Sequence, residues 1–233
     1  MKRGIIYCAT EGRVNTSSRL SFIRECEISA RRVKELHPDL NITLFTTIED
    51  YDTHTCFDKV IKIDKNFIGS FPSENSYLLK NIAFIASPYE HTIFLDSDTY
   101  IINEECVLNE LFEETKEYDF CATIQPKKTG NTSFNTGVIS LRKQYDFLFE
   151  WFKLSGTETN TDQSSLGKIL LPDSLINDYK LKIKTLNQKW NWRDRKINGK
   201  VSDTKNINIR GLHKHQIKIL HNRWRLQKMG IFK

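Results

Sequence analysis

His91-Thr-Ile-Phe-Leu-Asp-Ser-Asp-Thr-Tyr-Ile101 is the stretch that decides the fold. Thr92 to Leu95 form an unbroken apolar or β-branched run, the signature of a strand buried on both faces of a parallel sheet. The run stops at three small polar residues, which places Asp96 and Asp98 at the C-terminal edge of the sheet, where open α/β sheets bind ligands. If the backbone stays extended there, side chains two apart point the same way, and the two carboxylates converge. Paired carboxylates suit a hard divalent cation, which in turn suits a diphosphate. Asp-Ser-Asp-Thr is also ordinary turn chemistry. An EF-hand loop is excluded, because its sixth position requires glycine and Ile101 stands there.

Working outward, strands alternate with helices. Gly4 to Ala9 reads as a first buried strand, and the loop after it lacks the G-x-G-x-x-G of a dinucleotide site. Leu20, Ile23, Cys26, Ala30 and Val33 step by three or four, one face of a helix that Ser17 or Ser18 can cap and His37-Pro38 ends. Asn41–Thr46 and Val60–Ile63 read as strands. Ser73 can cap a second helix, with Leu78, Ile82 and Ile85 on its core face and Ser87-Pro88 closing it. Lys80 lies about 200° round that helix from Leu78, off the core stripe, so pattern alone makes it a solvated surface lysine. The alternation predicts an α/β fold with a mostly parallel sheet, and one domain over residues 1–233.

Beyond the central stretch, Val107–Glu117 reads as a helix and Phe120–Ile124 as a strand. Gly137 interrupts the strand-like run Ser133–Leu141, implying close backbone approach or a bulge, with Asn135 beside it. Tyr145–Leu154 is a helix rich in aromatics. Thr161-Asp-Gln-Ser-Ser165 opens another, where Asp162 by default is a cap. In the tail, Trp190 and Trp192 offer apolar anchors, and Ile217, Leu220 and Trp224 read as one face of a final helix.

Composition bounds the function. With 39% hydrophobic and 27% charged residues the chain is typical of a soluble globular protein, and no apolar run approaches the roughly 18 residues of a membrane span. Five scattered cysteines (Cys8, Cys26, Cys56, Cys106 and Cys121) form no C-x-x-C pair. With no signal-peptide pattern at the N-terminus, a reducing cytoplasm is the expected location. The net charge of +6 is uneven: residues 180–233 carry +14 and the rest −8. The basic quarter implies an anionic partner, whether a phosphorylated ligand, a membrane surface or nucleic acid.

Together these segments resemble a glycosyltransferase of the GT-A (nucleotide-diphospho-sugar transferase) fold, near the family 8-like group. The resemblance rests on Lys80-(x7)-Pro88-Tyr-Glu-His-Thr-Ile-Phe-Leu-Asp-Ser-Asp-Thr99, on Phe134-Asn-Thr-Gly-Val-Ile139, on Thr161-Asp-Gln163 and on Leu186-Asn-Gln-Lys-Trp-Asn-Trp-Arg193. It spans nearly the whole chain in the family's order. It implies a single GT-A domain with a Rossmann-like, mostly parallel central sheet. It also implies a metal-dependent transfer of sugar from a nucleoside-diphosphate sugar, a UDP-sugar by expectation, to a hydroxyl of a glycan, protein or lipid-linked acceptor, with Mn²⁺ or Mg²⁺ as cofactor. Asp98 would ligate the metal, and Asp96 the ribose or the metal. Thr10 and Lys80 would face the nucleotide, and Asn135, Gly137, Asp162 and Gln163 would line the sugar and acceptor side. The family's third ligand comes from a late His-x-x-Gly-x-x-Lys-Pro-Trp motif. Here Gly211-Leu-His-Lys-His215 stands without the Lys-Pro-Trp, so His213 is the first choice and His215 the second.

In chemical terms the cation would neutralise the leaving diphosphate. If configuration inverts, Asp162 is the candidate general base; if it is retained, Asp162 orients the sugar. The basic segment 180–233 is expected to close over the donor rather than bind nucleic acid, and peripheral contact with anionic lipid is left open. A pyrophosphorylase would need a Gly-rich basic loop after the first strand, which Glu11-Gly-Arg-Val-Asn-Thr-Ser-Ser18 is not. A nuclease would leave the sheet-edge aspartates without a role. A non-catalytic sugar-binding protein of the same fold would bind donor without turning it over.

Overall fold

The computed structural model describes residues 1–10, 21–51, 55–69, 75–102, 108–126, 132–143, 145–157, 161–170, 180–193, 196–197, 200–201 and 217–232. The central sheet takes its strands from across the chain: β1 (Arg3–Ala9), β2 (Ile42–Thr46), β3 (Lys59–Lys62), β4 (His91–Leu95), β6 (Phe120–Pro126), β7 (Thr132–Arg142) and β8 (Ile183–Thr185). Their order is β3-β2-β1-β4-β7-β6-β8. β3, β2, β1 and β4 run parallel, as do β6 and β8, while β7 is antiparallel to both its neighbours. All five residues of β4 are buried, as its unbroken apolar run requires. Ile93 and Leu95 point into one core and Phe94 into the other.

Helices cover both faces. α1 (Phe22–Leu36) and α4 (Leu108–Thr115) pack on one side through Cys26, Ala30, Val33, Leu111 and Phe112. On the other side lie α2 (Lys65–Gly69), α3 (Asn75–Ile85), α5 (Tyr145–Ser155) and α6 (Asp162–Leu170), whose Leu78, Leu79, Phe84, Trp151 and Leu166 close the second core. Gly4 admits the Tyr89 ring against β1: a Cβ there would lie 2.4 Å from the ring's Cζ. The Tyr89 hydroxyl then reaches Thr43 in β2 at 2.8 Å.

Three expectations shift. α1 begins at Phe22 with Ser21 as its N-cap, the hydroxyl accepting from the Arg24 amide; the serines at 17 and 18 lie outside the described residues, as do Ser73 and Val107. β3 starts one residue earlier than read. The last apolar run is not one helix. Ile219–His221 form β11, antiparallel to β5 (Thr99–Ile101), and α7 (Arg223–Lys228) begins only after the Asn222 cap. A strand wins because Ile217, Ile219 and Leu220 are all buried against β5 and the 3₁₀ turn Gln188–Trp190. Trp192 hydrogen bonds to Ile219 and His221 from the other side. Trp190 and Trp192 are buried, as anchors should be, whereas Trp224 is exposed. A short pair, β9 (Lys196–Ile197) and β10 (Lys200–Val201), completes the described strands.

His91 opens β4 fully buried, its Nε2 within 2.8 Å of the Ser140 hydroxyl and 3.1 Å of Thr115. Burial, then the nearby Arg142 and Arg3, lower its pKa to about 4 from 6.5. Since the folded value lies below the unfolded one, the unfolded chain binds the extra proton. Stability from the neutral ring is therefore present above about pH 6.5 and is lost as pH falls towards about 4. Melting temperature should fall more steeply in this window for the wild type than for His91→Gln; parallel slopes would contradict the assignment.

Candidate active site

At the carboxyl ends of β1 and β4 a cavity of about 460 Å³ opens. Its walls include Thr10, Lys80, Asp96, Asp98, Asn135, Asp162 and Gln163, seven residues singled out by the sequence, together with Cys8, Phe22, Tyr77, Arg193, His221 and Arg223. The sequence-predicted residues that the structure describes thus meet at one place. Gly137 lies just behind the wall, and His213 and His215 fall outside the described residues.

Asp96 and Asp98 converge, but by a turn rather than by strand alternation. The Thr99 amide and hydroxyl both donate to the Asp96 carbonyl, at 3.1 and 2.7 Å. This turns the chain at Ser97-Asp98 before β5 begins. The group between the two carboxylates is His221, which the sequence reading passed over. Its Nε2 lies 3.4 Å from Asp96 Oδ2 and 3.2 Å from Asp98 Oδ1. The available signal was the β-branched and apolar residues Ile217, Ile219 and Leu220 directly before it, which put an imidazole at the end of a buried strand.

Two contacts fix that ring. The first is steric: a Cβ on Gly137 would lie 2.0 Å from His221 Nδ1, so only glycine lets the imidazole rest on β7. β7 also bulges here, since Ala122 pairs with Ile139 and Thr123 with Asn135. The Asn135 side-chain oxygen accepts from the Gly137 amide at 3.0 Å. Both readings of the glycine, close approach and bulge, therefore hold. The second contact is polar. The Asn191 side-chain oxygen lies 3.0 Å from His221 Nδ1, with its amide nitrogen turned to the Asn135 carbonyl. An amide oxygen only accepts, so Nδ1 carries a proton and Nε2 is the atom offered to the carboxylates.

Nε2 and two carboxylate oxygens facing one another at these distances are a set that could hold a cation among them. The three ligand atoms lie within 4.8 Å of one another. An octahedral Mg²⁺, with bonds of about 2.1 Å, holds neighbouring ligand atoms about 3 Å apart, so the donor set fits a divalent ion of that size. Two oxygens and one imidazole nitrogen suit Mn²⁺ equally. Burial works to raise the Asp98 carboxyl, but its neighbours His221, Arg223 and Arg193 outweigh it and hold the group well below the usual carboxylate range.

Lys80 corrects the surface reading. It is buried, its Nζ 2.7 Å from Asp162 Oδ2 and 3.1 Å from Asp96 Oδ1, and it donates to the Thr136 carbonyl at 3.2 Å. The ammonium also stands 4.7 Å from the Phe94 ring centre. Helical phase missed this because α3 is enclosed by the sheet and by α5 and α6, so even its off-stripe positions Leu79, Lys80 and Asn81 are buried. Burial disfavours the charged amine, yet Asp162 and Asp96 together hold it protonated well above its usual range. Asp162 opens α6 as expected, but its carboxylate faces Lys80, and its carbonyl accepts from the Trp151 indole at 2.9 Å. Beside it, Gln163 donates to the Ser133 hydroxyl at 3.1 Å.

No protein-family model and no curated protein sequence matches the chain. Solved structures do. The glycosyltransferase GlyE of Streptococcus pneumoniae superposes with a TM-score of 0.55 at 17% identity over 82% of this chain, which spans 47% of GlyE. The galactosyltransferase LgtC, bound to donor and acceptor sugar analogues, gives 0.57 at 13% identity, covering 94% of this chain and 86% of that one. Mouse xyloside xylosyltransferase 1 in its apo form gives 0.56 at 12%, covering 97% and 99%. The chain therefore has the GT-A-type fold, a mostly parallel sheet flanked by helices with the Asp-Ser-Asp at its edge.

Lys80→Met keeps the length of the side chain while leaving Asp162, almost wholly buried, without its cation. Breaking a buried pair in this way costs about 3–5 kcal/mol, which urea unfolding should register. A variant within about 0.5 kcal/mol of the wild type, the range of an exposed pair, would show that this ion pair is solvated.

Proposed function

We propose that the protein is a metal-dependent glycosyltransferase that moves a sugar from a nucleoside-diphosphate sugar, by preference a UDP-sugar, to a hydroxyl of a glycan, protein or lipid-linked acceptor. The observation that carries this reading is the convergence of Asp96, Asp98 and an orientation-locked His221 in a cavity at the sheet's carboxyl edge. The fold shared with sugar transferases supports it. A divalent cation held by these three residues would supply charge neutralisation to the departing diphosphate.

The chain's own residues account for the remaining tasks. Arg193 and Arg223 line the cavity with Asp98 and add fixed positive charge for the phosphates. Both come from the basic C-terminal segment, which thereby forms part of the donor wall in this reading, within a single transferase domain. Lys80 keeps Asp162 oriented, with one carboxylate oxygen held by the ammonium. Thr161, Asp162 and Gln163 form a polar wall that can accept and donate hydrogen bonds to sugar hydroxyls. Thr10, after β1, faces the nucleotide in this arrangement.

Two variants test the assignment. Asp98→Ala removes a mostly buried carboxylate from the turn at the sheet edge without touching β4 or its core, so the fold should persist while Mn²⁺-dependent binding of UDP disappears in calorimetry. Unchanged affinity would remove the aspartate from the metal site. Asp162→Asn leaves Lys80 paired with Asp96 and should leave UDP affinity nearly unchanged. Transfer, read as nucleoside diphosphate released from a panel of donors, should fall by about 10²-fold or more, the scale of a lost acid–base or orienting group. Retention of most of the turnover would take Asp162 off the catalytic list.

A further inference from the structure

Glu25 lies in the first turn of α1 with none of its surface exposed. Both its oxygens are engaged. Arg223 Nε donates to Oε1, the second guanidinium nitrogen donates to Oε2 at 2.7 Å, and the Ser97 hydroxyl donates to Oε2 at 3.0 Å. Arg223 also lies over the Phe22 ring, its guanidinium carbon 5.1 Å from the centre. A bidentate fork of this kind fixes direction as well as distance.

The partners of Glu25 belong to the two separate halves of the candidate metal site. Ser97 sits between Asp96 and Asp98 in the turn after β4. Arg223 follows His221 by two residues at the start of α7. One buried carboxylate therefore cross-links the turn that carries the acidic ligands to the segment that carries the imidazole. Burial raises the Glu25 carboxyl despite Arg223 and Ser97, and a desolvated ion pair is a poor source of stability compared with apolar packing. Its value lies in specifying geometry.

We propose that Glu25 is a positioning residue for the metal site, holding Ser97 and Arg223 so that Asp98 and His221 face one another at bonding distance. The proposal rests on the metal reading above. It is independent of nucleotide and is testable with Mn²⁺ alone. Outer-shell partners of metal ligands typically contribute about 10- to 100-fold to affinity, and Glu25→Gln should weaken Mn²⁺ binding on that scale.

A structural role is separated from a positioning one by Glu25→Met combined with Arg223→Met, which leaves no unpaired buried charge. The double variant should recover the wild-type melting temperature yet keep the weakened Mn²⁺ affinity, with faster amide exchange at residues 97–99 and 219–221. Wild-type affinity and exchange protection in the double variant would overturn the proposal. So would a Glu25→Gln protein that melts early but binds Mn²⁺ normally. A wild-type protein that takes up no Mn²⁺ refutes the metal reading by itself. Exchange at the two segments then decides on Glu25: faster in the double variant supports the cross-link, and unchanged overturns it.

Discussion

His221 rests on the backbone of Gly137, at a place where any Cβ would penetrate the imidazole. The site's architecture depends on that contact. It lets β11 come against β5 and the edge of the central sheet, and it brings the imidazole of the candidate metal cluster between Asp96 and Asp98. The bulge in β7 and the Asn135–Gly137 hydrogen bond shape the surface on which the ring lies. Asn191 then selects the ring's tautomer. Four segments distant in sequence thus fix one nitrogen atom.

Electrostatics divide the cavity. On one side Asp96 and Asp162 share the buried ammonium of Lys80, so that one of these two carboxylate charges is already compensated without a ligand. On the other, Asp96 and Asp98 face His221, with Arg193 and Arg223 beyond. Asp96 belongs to both sides. Uncompensated buried charge is costly, and a divalent cation at the second cluster completes the balance that Lys80 provides at the first. In the proposed reading, that cation and the two arginines receive a diphosphate.

Much of this was legible in the sequence. An apolar run ending in Asp-Ser-Asp locates β4 and its functional edge, because burial on both faces leaves no other pattern. Gly137 could be read as a point of close approach because glycine within a strand has few other uses. Asp162 and Gln163 could be placed at a helix start. Three features were not legible. Lys80 looked solvated because helical phase says nothing about a helix covered on several sides. The aspartate pair looked like strand alternation, whereas a turn stabilised by Thr99 brings the carboxylates together. His221 was hidden because its role follows from β11 pairing with β5, a long-range contact with no local signature, and because Ile217, Leu220 and Trp224 imitate a helical period. The same limit explains Glu25, an acid in the buried face of an amphipathic helix, whose partners lie in a turn and at the far end of the chain.

The central claim is that Asp96, Asp98 and His221 bind one divalent cation that carries a nucleoside diphosphate. Anomalous scattering at the manganese edge, from crystals grown with Mn²⁺ and UDP, addresses it directly. The account predicts a single strong peak among Asp96, Asp98 and His221 Nε2, with the diphosphate beside it and facing Arg193 and Arg223. A diphosphate bound with no peak at these three residues, or a peak elsewhere in the cavity, would contradict it.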